Sequence, residues 1–235
     1  LTNTTKISDA RQLLVNASGG IDYWKRASEL EVIEEWSKYI ETEYNIGTIH
    51  SDGFSRTLLT LSTTKRNIDP AWSPDGGKIA FTTYREGNAE IYYMNADGSV
   101  QTAITNNLDP DQQPSWSSDG TELVFVSTTG TNADIFKTKP NGQNLERLTF
   151  LSGSDKAPLW SPDGTKILFV SGRDGDDEIF MMNTDGTGQR QLTANSATDG
   201  DPVWSPDGSW IAFVSDRDGQ EDIYLMDVNG YGTEG

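Results

Sequence analysis

The chain has 235 residues, carries 36 acidic against 18 basic side chains for a formal charge of −18, and contains no cysteine. That length suits one large all-β domain, and the charge would repel a phosphate backbone or an anionic lipid surface, which argues against nucleic acid as a partner. Without cysteine there is neither a disulfide framework nor a thiolate metal site, and no apolar run approaches the roughly 18 to 20 residues of a membrane helix, so membrane insertion is not expected.

In chain order, the sequence opens on Leu1 rather than methionine, which suggests a processed chain or a piece of a longer one. Asn3-Thr4-Thr5 and Asn16-Ala17-Ser18 are glycosylation sequons that matter only in a glycosylating, exporting organism. Between them, Arg11-Gln12-Leu13-Leu14-Val15-Asn16 matches Arg190-Gln191-Leu192-Thr193-Ala194-Asn195 far down the chain. Residues 7–15 therefore read as an outer strand without a sheet of its own.

A repeat begins next. Trp72, Trp116, Trp160 and Trp204 stand 44 residues apart, each inside Pro-x-Trp-Ser-x-Asp-Gly, and Asp/Asn-Gly pairs recur at Asp52, Asp97, Asn141, Asp185 and Asn229. Five units result, at about 21–61, 68–105, 112–149, 156–193 and 200–228. The first diverges: Ser28 to Glu43 reads either as a helix opened by a capping box or, as the alignment of Trp36, Tyr39 and Ile46 with Phe81, Tyr84 and Ile91 favours, as a strand. In the others an inner strand ends at the tryptophan, a Ser-Pro-Asp-Gly turn follows, then an alternating strand such as Lys166-Ile167-Leu168-Phe169, a third such as Glu178-Ile179-Phe180-Met181-Met182, and a short fourth such as Gln191-Leu192-Thr193.

A single four-stranded sheet cannot bury two apolar faces, so the sheets must stack on one another. The expected fold is all-β, a five-bladed β-propeller of four-stranded antiparallel blades in one domain over 1–235. Leu192 should recur at 236, beyond the last residue, so the last blade is expected to lack its outer strand. Residues 7–15 would then pair with Asp222–Met226 and close the ring, or do so in a neighbouring copy and build oligomers.

In such a meander the loops joining strands two to three and four to one share an end, and there the carboxylates gather. The candidate partner-binding residues of this acidic end and the channel mouth are Asp22, Asp69, Asp111, Gln113, Lys156, Asp174, Asp176, Asp201 and Asp218. They suit a cationic partner, either a basic protein patch or a divalent metal, and the channel mouth suits a protein or small ligand. The runs at Arg173–Glu178 and Asp216–Asp222 offer oxygens to calcium but lack an EF-hand spacing. Because Arg85, Arg173 and Arg217 each precede Glu90, Glu178 and Asp222 by five, an arginine–carboxylate brace within the hairpin is the simpler expectation. No cofactor is expected. His50, the one histidine, lies beside a tight turn, without a triad or zinc ligand set around it. Acidic residues at Asp22, Asp69 and Asp201 are matched by Gln113 and Ala157 in the other repeats, an incomplete set for a glycosidase.

DPxWSPDG, KIAF, DIYxMNxDG and RQLT, over residues 45–230, resemble the repeats of TolB-like propellers, relatives of WD-type repeats. The resemblance implies an exported scaffold, extracellular or periplasmic, that binds other proteins and is not an enzyme. Similar repeats also accompany peptidases and polysaccharide-active proteins, so a carbohydrate hydrolase or lyase stands as an alternative, as does a structural subunit assembling by strand exchange. TolB's own amino-terminal α/β domain is not recognisable in these residues, nor is a peptidase domain.

Overall fold

The computed structural model describes residues 44–51, 53–61, 65–230 and 232–233. The expected strand at 7–15, the stretch 28–43, Asn3, Asn16 and Asp22 lie outside them. The chain divides into two compact units, Leu1–Ile68 with Asp97–Ser99, and Asp69–Ala96 with Val100–Gly235.

In the first unit, β1 (Gly47–Ile49) and β2 (Arg56–Leu58) form an antiparallel hairpin. Its signature is a pair of hydrogen bonds: Leu59 N–H donates to Ile46 O at 2.8 Å, and Ile46 N–H donates to the Thr60 hydroxyl at 2.8 Å. The same two bonds recur from Ile104 and Leu148 to Ile91 and Ile135, and from Ile91, Ile135 and Ile179 to Thr105, Thr149 and Thr193. The alignment of Ile46 with Ile91 therefore marks the same third-to-fourth strand corner in both.

Four antiparallel four-stranded sheets follow, here the second to fifth. The second runs β3 (Asn67–Trp72), β4 (Lys78–Thr83), β5 (Glu90–Asn95), β6 (Thr102–Ala103), and the third β7 (Asp111–Trp116), β8 (Leu123–Thr129), β9 (Asn132–Thr138), β10 (Glu146–Arg147). The fourth runs β11 (Asp155–Trp160), β12 (Lys166–Ser171), β13 (Glu178–Asn183), β14 (Arg190–Gln191), and the fifth β15 (Asp199–Trp204), β16 (Trp210–Ser215), β17 (Asp222–Asp227), β18 (Gly232–Thr233). No helix occurs among the described residues.

Turn chemistry sets each first hairpin. Ser161 Oγ donates to Asp163 Oδ1 at 2.5 Å and accepts from Lys166 N–H at 2.9 Å, while Gly164 takes φ +72°, which favours glycine. Serine hydroxyl and backbone N–H together hold the Asp163 carboxyl below the usual range; in the fifth sheet the same arrangement holds Asp207 at about 2.

Strand alternation then supplies the stacking. Leu123, Phe125 and Trp116 of the third sheet pack on Ala80, Ile91 and Ile104 of the second. Trp160, Ile167 and Phe169 of the fourth meet Val124, Ile135 and Leu148 of the third, and Ile211, Phe213 and Met226 of the fifth meet Leu168, Ile179 and Leu192. Phe81, Phe125 and Phe169 are at most 1% exposed, each burial contributing about 1.5–3 kcal/mol.

The last sheet corrects one expectation. It has its own fourth strand, since the chain reverses at Gly230 and Gly232–Thr233 pair with Met226 and Leu225. This strand comes after a shorter connection than its counterparts, so the 44-residue spacing conceals it. On the face of β17 opposite Tyr224 and Met226, Ile223 is 77% exposed, whereas its counterparts Ile91, Ile135 and Ile179 are fully buried against the next sheet.

Candidate functional site: the loop-rich acidic end of the stacked sheets

Each inner strand of the third to fifth sheets carries a bulge just after its start, between Gln112 and Ser115, Lys156 and Leu159, and Gly200 and Val203. Inside the bulges sit Gln113, Ala157 and Asp201, and at the matching place in β3 sits Asp69, with φ of 55°, 51°, 47° and 52°. Four non-glycine residues in the left-handed region, 44 apart, mark a built feature. The Thr82 hydroxyl donates to Asp69 Oδ2 at 3.0 Å and accepts Gln113 N–H at 3.1 Å, and Gln113 Oε1 accepts Ala157 N–H at 2.8 Å. A polar chain thus ties three inner strands together. Asp69 and Gln113 are half-buried within it, while Asp201 is exposed.

Around these strands lie the loops 84–89, 172–177 and 216–221 between second and third strands, and 104–110, 148–154 and 192–198 between sheets. Asp174, Asp218 and Glu221 are exposed and Asp176 is half-buried. Asp218 accepts a short hydrogen bond from the Tyr224 hydroxyl, which pushes the phenol's pKa up. Lys156 spends its charge on Asp177 at 2.6 Å. The end is therefore electronegative, because its cations are paired with or stacked on the chain's own side chains.

The arginines show how. Arg173 lies over Phe180 and Phe169, its carbon Cζ 4.4 and 5.4 Å from the ring centroids, and donates to Ser171 Oγ, Gln189 Oε1 and Asp155 Oδ1 at 2.7, 2.8 and 3.2 Å. Arg217 repeats this over Tyr224 and Phe213, with Ser215 and Asp199. Arg85 covers Tyr92 and Phe81 and donates to Thr83 and Gln101, since the residue matching Asp155 in that repeat is Asn67. The expected brace to Glu178 and Asp222 is thereby corrected. The stacked guanidinium points towards the inner strand, 18 residues back, and Glu178 instead accepts Asn195 N–H. Burial pushes the Glu178 carboxyl up.

The third sheet departs from this. Thr129 replaces the arginine and Leu145 replaces the glutamine. Phe125 and Phe136 keep their pairing, with ring centroids 6.0 Å apart, but bound a cavity of about 210 Å³ instead of a stacked side chain. Asp111 lines it and is 1% exposed, turned into the sheet and away from the rim. Its Oδ2 accepts Asn107 Nδ2 at 2.7 Å and its Oδ1 is buried without a hydrogen-bond partner. Desolvation pushes this carboxyl up, against the polar groups of Ser127, Asn107 and Thr105, and Glu90 adds to the rise.

Sequence reasoning passes over a second hollow. At the tight-turn end, Trp72, Trp116 and Trp160 with Pro74 and Pro162 line a groove of about 300 Å³, and the buried Trp160 Nε1 has no acceptor. Its signal is the 44-residue spacing itself, which brings the indoles and turn prolines of successive sheets together. Among the described residues no three His, Cys, Asp or Glu side chains are grouped to hold a metal ion.

Comparison with known proteins agrees with this architecture. A family profile described as TolB beta propeller domain matches residues 49–155 and again 151–234. The structure of a putative TolB from Agrobacterium tumefaciens is 28% identical, with a TM-score of 0.73 over 80% of this chain and 72% of that one. TolB from Acinetobacter baumannii is 25% identical, with a TM-score of 0.72 over 79% of this chain and 46% of its own. A short stretch of 43 residues, 18% of this chain, is 44% identical to the uncharacterized peptidase YuxL of Bacillus subtilis and spans 6% of that protein's length.

Proposed function

This chain belongs to the TolB β-propeller domain family, and we propose that it acts as a non-catalytic protein-binding scaffold whose loop-rich acidic end receives a partner with a basic patch. One observation carries the reading. At that end Arg85, Arg173, Arg217 and Lys156 are all engaged by groups of the sheets, whereas Asp174, Asp201, Asp218 and Glu221 are exposed. Such a field accelerates encounter with a cation and weakens as salt rises, since exposed charges are screened beyond about 8 Å at physiological ionic strength. The triple variant Asp174→Asn, Asp201→Asn, Glu221→Gln should weaken binding of an oligolysine peptide and flatten its salt dependence. Salt-insensitive binding, or binding that follows the tryptophan groove, would refute the assignment.

The repeat supports a single domain closed as five blades, and the family resemblance supports a location outside the cytoplasm, extracellular or periplasmic. A second reading, assembly of copies through an exchanged strand, draws on Ile223 and Leu225, 77% and 47% exposed on the face of β17 opposite Tyr224 and Met226. An uncovered apolar face of this kind invites a further chain, and the strand read at 7–15 of a neighbouring copy is the candidate. Sedimentation of the chain with and without residues 1–16 tests it: a monomer at high concentration in both cases would end that reading.

A further inference from the structure

We propose that the cavity over Phe125 and Phe136 is a binding site for a guanidinium group, taking from a ligand what the second, fourth and fifth sheets take from their own arginine. The inference deepens the scaffold reading and rests on it for the end of the molecule that binds. It names the chemical group one sheet is built to receive.

The template lies within the same chain. In the fourth sheet a guanidinium is held by two aromatic faces, a serine hydroxyl and a buried inner-strand carboxylate: Phe169, Phe180, Ser171 and Asp155. The third sheet keeps the counterpart of each, Phe125, Phe136, Ser127 and Asp111, all lining the one cavity. The arginine is missing, and Leu145 stands where Gln189 accepts from it. Phe125, Ser127 and Asp111 are 1%, 5% and 1% exposed, so these groups are already desolvated, and the space exceeds several waters' share of liquid volume, about 30 Å³ each.

Asp111 makes the site more than a vacated corner. Among the described residues no arginine or lysine pairs with it, and its Oδ1 makes no hydrogen bond. The arginine of this sheet that sits nearest in the repeat, Arg147, is occupied elsewhere, donating to Asp134 Oδ2 at 2.7 Å and to Thr149 O at 2.8 Å. A buried carboxylate without a counter-ion is costly, and a planar donor that stacks on aromatic rings relieves it. Ammonium lacks that plane and fork, which sets the expected preference for arginine over lysine. Access is from the rim, where Thr129, Asn107 and Leu145 are exposed. The group would come from an arginine side chain of a polypeptide or from a small guanidino compound; the recognising chemistry is shared.

NMR titration of the whole chain with acetyl-arginine-methylamide, agmatine, acetyl-lysine-methylamide and an oligolysine peptide tests this. The expected result is saturable shifts of the Phe125 and Phe136 ring signals with both guanidines and at least about tenfold weaker binding of the lysine derivative. Tighter binding of the capped arginine assigns the site to a polypeptide side chain, and tighter agmatine binding to a small compound. Thr129→Arg should abolish the shifts by filling the cavity, and Asp111→Asn should weaken them about tenfold or more. No ring shifts with either guanidine, equal response to lysine, or binding unchanged in Thr129→Arg would overturn the site. Oligolysine reports separately on the acidic rim. Its binding with guanidines inert overturns the cavity alone, and guanidine binding with oligolysine inert overturns the rim reading.

Discussion

The third and fourth sheets share a strand order, an aromatic pair and a buried inner-strand aspartate, but they treat that aspartate in opposite ways. In the fourth, the chain leaves the ladder after Ser171, and the loop 172–177 folds Arg173 back over Phe169 and Phe180 to reach Asp155. In the third, the same number of residues continues the ladder to Thr129↔Asn132 and turns within Gly130-Thr131. The tight hairpin gains backbone pairing and loses the arginine. It also moves the arginine–carboxylate contact outward, to Arg147 and Asp134. One repeat thus spends its charge on its own stability, and the other leaves a carboxylate and a cavity unused by the fold.

The comparison breaks most directly at Arg173. Its side chain is 9% exposed and Asp155 1%, so Arg173→Ala should cost about 3–5 kcal/mol by leaving a buried charge uncompensated. Urea unfolding measures it, and a loss below about 1 kcal/mol would show that the stack is not structural. The reverse change sharpens the contrast. Thr129→Arg with Leu145→Gln restores the missing pair and its amide partner, and should stabilise the chain by about 1–2 kcal/mol, read by the same unfolding curves.

Much of this was legible in the sequence and the rest was hidden for identifiable reasons. The tryptophan spacing, the turn residues and the alternating strands locate the four-stranded sheets, and the interruption of Arg85, Arg173 and Arg217 by Thr129 is visible by eye. The arginine's partner was not. Glu178 lies five residues away along the chain, but aromatic stacking orients Arg173 towards Asp155, and no linear spacing reports orientation. Gln113, Ala157 and Asp201 differ in chemistry, so the backbone conformation they share leaves no residue-type signal. The fourth strand of the last sheet was missed because a shortened connection breaks the period on which the reading depended.

Asp111 offers a smaller effect with a definite pH signature. Its carboxyl is raised by burial, with Glu90 adding to the rise. Stability from the neutral acid is therefore fully present below the unfolded-state value and is lost as pH rises through the raised, folded-state value. Asp111→Asn should gain about 1 kcal/mol at pH 7 and little at acid pH. Asp155→Asn should do the reverse at neutral pH, because Arg173 then loses its counter-charge. Parallel pH series of urea midpoints separate the two, and equal responses would erase the distinction between the sheets.

The smallest difference in stability is expected at the rim. Lys156 bridges to Asp177 at 2.6 Å with side chains 46% and 28% exposed, and the third sheet has Gln112 and Ala133 at the same places. Exposed pairs of this kind contribute about 0–1 kcal/mol, so Lys156→Gln should shift unfolding by less than about 0.5 kcal/mol. Its effect on binding should be the larger one. Removing that cation leaves Asp177 to the solvent beside Asp174 and Asp176, and oligolysine should bind more tightly at low salt and no differently at high salt. Unchanged binding at low salt would mean that the fourth sheet's loop lies off the contact surface, confining the electronegative patch to the fifth.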